Sequence, residues 1–225
     1  MPQNEPIEFQ SLTPWLGSFL NLDKARTVSK SANEKAKFSA NFETADEQEI
    51  NRAKAAIIQC ARDKWPALDI GEAIKSGKLG IPLQDGNRLA DRAKEKSDRE
   101  GKQRLREWSR GKRVLTARSE FLPPVTIREN GVIVSLEDEQ AVGRAKAKFF
   151  FTGVDTLFAV RFNAYEAVGA NGLPGVNAYL AAVESLGTGA RLIARKDPTE
   201  RFKEYRGLAK DEDPTAGGDA GGDDW

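Results

Sequence analysis

Between Lys35 and Glu43 the chain alternates with a period of two, a pattern that few folds can accommodate. Ala36, Phe38, Ala40 and Phe42 fall on one face, while Lys35, Lys37, Ser39, Asn41 and Glu43 fall on the other. That spacing calls for a strand with its apolar side on a core and its polar side toward solvent or a ligand. Residues 156–168 repeat the pattern, with Phe158, Val160 and Phe162 on one face and Arg161, Asn163 and Tyr165 on the other. Shorter runs at 12–20, 114–118, 125–127 and 147–152 read as further strands, the last carrying Lys148. The turn Glu129-Asn130-Gly131 before Val132-Ile133-Val134 predicts a hairpin. The mostly apolar segment 176–186 fits either a helix or a strand. The expected class is mainly β with inserted helices.

Helical periodicity occurs between these strands. Thr44 and Glu47 have capping-box spacing, and Ile50, Ala53, Ile57, Cys60 and Ala61 follow at helical intervals, so 45–64 reads as an amphipathic helix stopped before Pro66. A shorter helix follows Asp69 through Ile70 and Ile74 to Gly77, and 80–87 is turn chemistry. From Asp91 to Arg113 ten cations face five acids, with Leu105 and Trp108 as almost the only apolar residues. Such a segment builds no core and reads as a mobile excursion. It is either a solvated helix surface or a basic arm with an interleaved tryptophan. Residues 1–11 read as a loose arm, 12–200 as one domain with an insert at about 45–110, and 201–225 as disordered by composition.

Several function classes are excluded by what the sequence lacks. There is no histidine, which removes Cys/His zinc sites and Ser-His-Asp triads. The single cysteine, Cys60, forms no intramolecular disulfide, fits a reducing compartment and reads as a small buried hydrophobe. No phosphate-binding loop or dinucleotide fingerprint is present, and the carboxylates show no metal-ligand grouping. We therefore expect no catalytic residues, no cofactor and no metal, with a carboxylate-only, metal-dependent nuclease as an alternative. A mean hydropathy of -0.56 and the absence of a long apolar run predict a soluble protein without a membrane span. The first residues predict no signal peptide, so the expected location is the cytoplasm.

The net charge of +1 conceals an asymmetry. Six acids and no Lys or Arg lie past Lys210; setting those six aside from the 34 acids leaves 28 against 35 basic residues, a body of net +7. The segment 211–225 combines Asp219, Asp223 and Asp224 with Trp225, an aromatic that a purely solvating tail does not need. Acids, a bulky ring and a carboxylate suit docking into a basic pocket with an apolar floor, and the same charges suit the body's own cationic groove. On the body, Arg161, Asn163 and Tyr165 share a strand face, with Lys35, Lys37, Lys112, Arg113 and Arg118 on other strands. Cations that neutralise phosphates beside a ring that stacks on bases are how sequence-neutral single-strand binders work. Residue by residue, Tyr165 as a rim group and the cations as ordinary surface remain open.

Certain stretches carry a resemblance. They are Gly111 to Ser119, Phe121-Leu122-Pro123-Pro124-Val125, Phe151 to Val154, Ala159 to Tyr165 and Gly175 to Gly187. In them the chain resembles single-stranded-DNA-binding proteins of tailed bacteriophages. The resemblance covers about 105–195 well and 10–65 loosely, and the chain departs from the usual pattern in its long insert. It implies an OB-fold, a five-stranded antiparallel barrel. It also implies a non-enzymatic role coating single-stranded DNA in replication, recombination and repair within the infected bacterial cell. The DNA contacts would then be Lys35, Lys37, Trp108, Lys112, Arg113, Arg118, Lys148, Arg161, Asn163 and Tyr165. A polymerase, helicase or primase would be met by the tail, and a homodimer is compatible with this reading. A single-strand annealing recombinase is the related alternative.

Overall fold

The computed structural model describes residues 6–27, 35–100, 106–167 and 172–193. The chain divides into a unit at Met1–Leu192, which holds every element below, and a second at Ile193–Trp225. Nine strands pair into one sheet among the described residues. They are β1 (Ile7–Gln10), β2 (Trp15–Arg26), β3 (Lys37–Thr44), β4 (Leu83–Asp85), β5 (Arg113–Ser119), β6 (Val125–Glu129), β7 (Val132–Leu136), β8 (Val154–Tyr165) and β9 (Gly175–Gly189). Four helices interrupt them: α1 (Glu47–Lys64), α2 (Ile70–Lys75), α3 (Gly86–Glu100) and α4 (Glu139–Phe149).

The strand order is β1-β8-β2-β3-β5-β9-β6-β7, with β8 also paired to β9 and β4 to β5. The sheet is mixed rather than wholly antiparallel, because β9 runs parallel to β5 at Arg118–Tyr179 and to β6 at Val125–Val183. A parallel partner requires a crossover, and the chain between β5 and β9 supplies one, carrying α4 on the way.

Alternation decides which side faces the core. Phe38, Ala40 and Phe42 of β3 are buried, as are Phe158, Val160 and Phe162 of β8, matching the sequence pattern; Ala36 precedes the strand and is exposed. The Phe42 and Phe158 rings stack at 3.8 Å and 6°, and Trp15 meets Phe158 edge-on at 5.2 Å. The segment 176–186 resolves as strand, with Val176, Ala178 and Leu180 buried. α1 begins two residues later than a Thr44 cap would place it. Asp46 is the cap, accepting from the Gln48 and Glu49 backbone N–H groups, while the Thr44 hydroxyl accepts from Asp46 N. Burial pushes the Cys60 thiol pKa up, which keeps it the neutral, packed side chain that its helix position suggests.

Four expectations require correction. Ile7–Gln10 is a strand paired with β8, not part of a loose arm, because Phe9 fits the aromatic core beside Trp15 and Phe158. Residues 147–149 close α4 rather than open a strand. Asp138 caps that helix through Ala141 N, and Lys146 and Lys148 sit in the last turn, where cations suit the helix dipole. Segment 80–87 contains β4 and the start of α3 as well as turns. The charged run from Asp91 divides among the described residues: 91–100 belong to α3, a solvated helix that buries only Gly86 and Ala90, whereas 106–113 form a 3-10 turn at Glu107–Ser109 with Ser109 buried and then enter β5 at Arg113.

Phe42 is fully buried and stacks on Phe158, where the aromatic contacts of the core converge. Replacing Phe42 with Ala is expected to cost about 3–5 kcal/mol of unfolding free energy, read by urea denaturation.

Candidate nucleic-acid interface

The polar sides of four strands form a continuous surface. Registered pairs Arg161–Tyr179, Asn163–Asn177 and Tyr165–Gly175 join β8 to β9, Arg118–Tyr179 joins β9 to β5, and Ser39–Arg118 and Asn41–Thr116 join β5 to β3. Paired residues share a face, so cations, amides, hydroxyls and two tyrosines stand together opposite the core. The Thr116 hydroxyl donates to Asn41 Oδ1 at 2.8 Å, and Asn21 Nδ2 of β2 donates to the Ser39 hydroxyl at 3.2 Å. The polar row therefore reaches β2.

An open cleft of about 260 Å³ lies on this surface, lined by Lys37, Arg118, Tyr165, Asn177 and Tyr179 together with Gly80–Pro82 and Gln84. The Gly80 segment is stitched to β9, since Gly80 N donates to Pro174 O and Val176 N to Gly80 O, both at 2.9 Å. Gly175 makes this close approach feasible. A Cβ there would stand 2.7 Å from both the Gly80 carbonyl and the Tyr165 hydroxyl. Tyr179 keeps 43% of its surface exposed, and its ring edges the cleft.

Three of the sequence-selected residues, Lys37, Arg118 and Tyr165, come together here. Arg161 and Asn163 continue the same strand face, with Arg161 Nε donating to Glu8 Oε1 at 2.8 Å. Lys35 and Lys37 share Glu120, at 3.5 and 3.8 Å. Lys112 and Arg113 lie at the far end of β5, roughly 17 Å from Arg118 along the strand. Lys112 Nζ donates to the Trp108 carbonyl, and Arg113 pairs with Asp85 at 3.1 Å. Trp108 sits in a single 3-10 turn, Glu107–Ser109. Lys148 is on α4, paired at 2.5 Å with Glu129 of the β6–β7 hairpin, and does not line the cleft. Asp219, Asp223, Asp224 and Trp225 lie outside the described residues.

Sequence reasoning missed Tyr179, Asn177, Thr116 and Gly175. The signal for the first two was present. Read as a strand, segment 176–186 places Asn177 and Tyr179 outward between buried Val176, Ala178 and Leu180. Glu43 was misplaced in the opposite sense. It lies on the polar face yet is buried, because the Glu107–Ser109 turn folds over it. Its carboxylate accepts from Ser18 Oγ at 2.5 Å, Ser109 Oγ at 2.7 Å and Arg106 at 3.2 Å.

The Arg106 side chain is 14% exposed, so removing its buried partner leaves a charge with little water. Glu43→Ala is expected to destabilise the protein by about 3–5 kcal/mol in chemical denaturation. Glu120→Ala, which breaks exposed pairs, should cost less than about 1 kcal/mol.

Neither a protein-family model nor a curated protein sequence matches the chain. Solved structures do match in shape. The single-stranded DNA-binding protein from bacteriophage Enc34 aligns with a TM-score of 0.55 at 15% identity, over 88% of this chain and 90% of that one. The same protein in complex with ssDNA aligns at 0.56 and 15%, over 83% and 90%. Gp2.5, a single-stranded DNA-binding protein encoded by bacteriophage T7, aligns at 0.51 and 11%, over 96% and 100%. The likeness is one of architecture: this chain has the fold of bacteriophage single-stranded-DNA-binding proteins.

Proposed function

We propose that this protein binds single-stranded DNA without sequence preference and coats it during phage replication, recombination and repair in the infected bacterial cytoplasm. The observation that carries the proposal is the pair Tyr165 and Tyr179 with Lys37 and Arg118 around one open cleft on the outer sheet face. Ring faces accept any base, at about 1–3 kcal/mol per stack, and cations beside them accept the phosphates between bases. Duplex DNA keeps its bases stacked inside, so such a face favours single strands.

The fold supports the same reading. The pairings β2–β3, β3–β5, β5–β9, β9–β8 and β8–β2 form a circuit of five strands, which we read as an OB-type barrel with β1, β4, β6 and β7 added outside it. OB-folds hold four to sixteen nucleotides or so on such a face. No helix among the described residues is long and apolar enough to cross a membrane.

Fluorescence anisotropy with labelled oligonucleotides across a salt series tests the proposal. Single strands should bind and duplex should bind more weakly; equal affinity for both would overturn it. Arg118→Ala should weaken binding and reduce the slope of log K against log salt by about 0.7, the loss of one phosphate contact. Tyr179→Ala should weaken binding about 5- to 150-fold and leave that slope unchanged, because stacking releases no counterions.

The segment 211–225 acts in this proposal as a recruiter of a polymerase, helicase or primase that also competes with DNA for the cationic face. Its removal is expected to preserve or tighten DNA binding while abolishing partner capture, read by anisotropy and pull-down with the replication enzyme. Weaker DNA binding on truncation would count against competition.

A further inference from the structure

Phe19 breaks two local rules at once. The buried positions of β2 switch from Trp15 and Gly17 to Leu20 and Leu22, and the register against β3 shifts between Ser18–Asn41 and Asn21–Ser39. One extra residue stands between those pairs, a β-bulge. Phe19 absorbs it with φ of 50°, the left-handed region that glycine or asparagine occupies readily and a bulky aromatic does not. Its ring then points away from the core and is 42% exposed.

The surroundings of that ring are specific. The Arg106 guanidinium stands 5.0 Å from its centroid, and the Trp108 ring lies 6.1 Å away, tilted by 39°. Arg106 is fixed there from the other side by buried Glu43 and by Ser109 Oγ, to which its Nε donates at 3.0 Å. Trp108 Nε1 is buried without a partner among the described residues, a second unfavourable feature in the same cluster. Strain, an exposed ring and an unmet donor concentrated at one point are what a binding site retains and a purely structural corner does not need.

We infer that Phe19, backed by Arg106 and Trp108, is a second base-stacking station for the same DNA strand, separate from the Tyr165–Tyr179 cleft. The inference rests on the single-strand-binding reading above. Asn21, Ser39, Asn41, Thr116 and Arg118 form the polar row between the two, so a strand leaving the cleft crosses hydrogen-bonding side chains on its way to Phe19. Three strand spacings separate Tyr179 from β2, on the order of 15 Å across the sheet. That span lies within the few nucleotides or more that one such fold holds. Arg106 adds a cation beside the stacked base, and Lys112, joined to the Trp108 carbonyl, adds a second beside the same turn.

The full-length variants Phe19→Gly and Phe19→Asn test this. Both residues accept the left-handed backbone, so they remove the ring while relieving the strain. With a 16-nucleotide thymidine oligomer, each should weaken binding about tenfold, with an unchanged salt slope and a melting temperature equal to or above wild type. Phe19→Trp should restore affinity. Wild-type affinity in both variants would overturn the station. So would a fall in melting temperature that accompanies the loss of affinity, because the ring would then be a lid over the Glu43 network. Tyr179→Ala measured alongside separates the two readings. If it weakens binding and the Phe19 variants do not, only the station fails; if wild type binds no single strand, the parent reading fails.

Discussion

The register of β8 against β9 is the constraint on which the remainder of this molecule depends. Pairing runs from Val154–Gly189 to Tyr165–Gly175 and includes both a buried row and an exposed row. Because side chains alternate, a slip of one residue would turn Phe158, Val160 and Phe162 to solvent and Arg161, Asn163 and Tyr165 into the core. The stacked Phe42–Phe158 pair and the edge-on Trp15 lock one row, and the same register aligns the other. The polar surface is thus positioned by the hydrophobic side it opposes. Tyr165 is set further by Gly175 across from it, where any side chain would collide with both the phenol and the Gly80 carbonyl.

Two buried carboxylates play a complementary part at the ends of β2 and β3. Glu49 of α1 accepts from Trp15 Nε1 at 3.1 Å and Leu12 N at 3.2 Å and pairs with Arg52. Glu43 gathers Ser18, Ser109 and Arg106. Each carboxylate loses water on burial, and replacement by well-packed apolar side chains would often be neutral. What these groups supply is placement. Glu49 ties the start of β2 to α1, and Glu43 ties the described end of the charged insert to the polar face. Without that second tie, Arg106 and Trp108 would have no reason to stand beside Phe19.

Legibility from sequence followed the range of the interactions involved. β3 and β8 were readable because alternation is local, and α1 and α2 because caps and helical spacing are local. The aromatic run Phe149-Phe150-Phe151 favoured a strand on propensity. Only the Asp138 cap and the packing of Val142 and Phe149 into the core make 139–149 a helix. β1 and β4 are short strands that exist through partners far along the chain, Phe162 and Leu115 among them. Tyr179 needed one local choice, strand over helix, to be read correctly. Glu43 and Phe19 could not be read from spacing at all. The burial of one depends on a turn some 65 residues later, and the exposure of the other on a bulge that reverses the alternation.

The charge pattern of the face also has a physical logic that counting cations hides. Lys35 and Lys37 share Glu120, Arg161 holds Glu8 and Arg113 holds Asp85, all in partly or fully exposed pairs. Exposed pairs contribute about 0–1 kcal/mol, so each can be exchanged for a phosphate at small cost, and the exchange returns little net electrostatic energy. Arg118 differs, since among the described residues it forms no ion pair and it faces the cleft between Lys37 and Tyr179. In the proposed function, single-strand affinity on such a surface comes mostly from Arg118, which has no ion pair among the described residues, and from the rings, with the paired cations acting as exchangeable, salt-sensitive contacts. A strand held in that way can be displaced by another polyanion of similar reach. A body of net +7 and six acids past Lys210 stand in one chain, the charge pattern that the proposed competition requires.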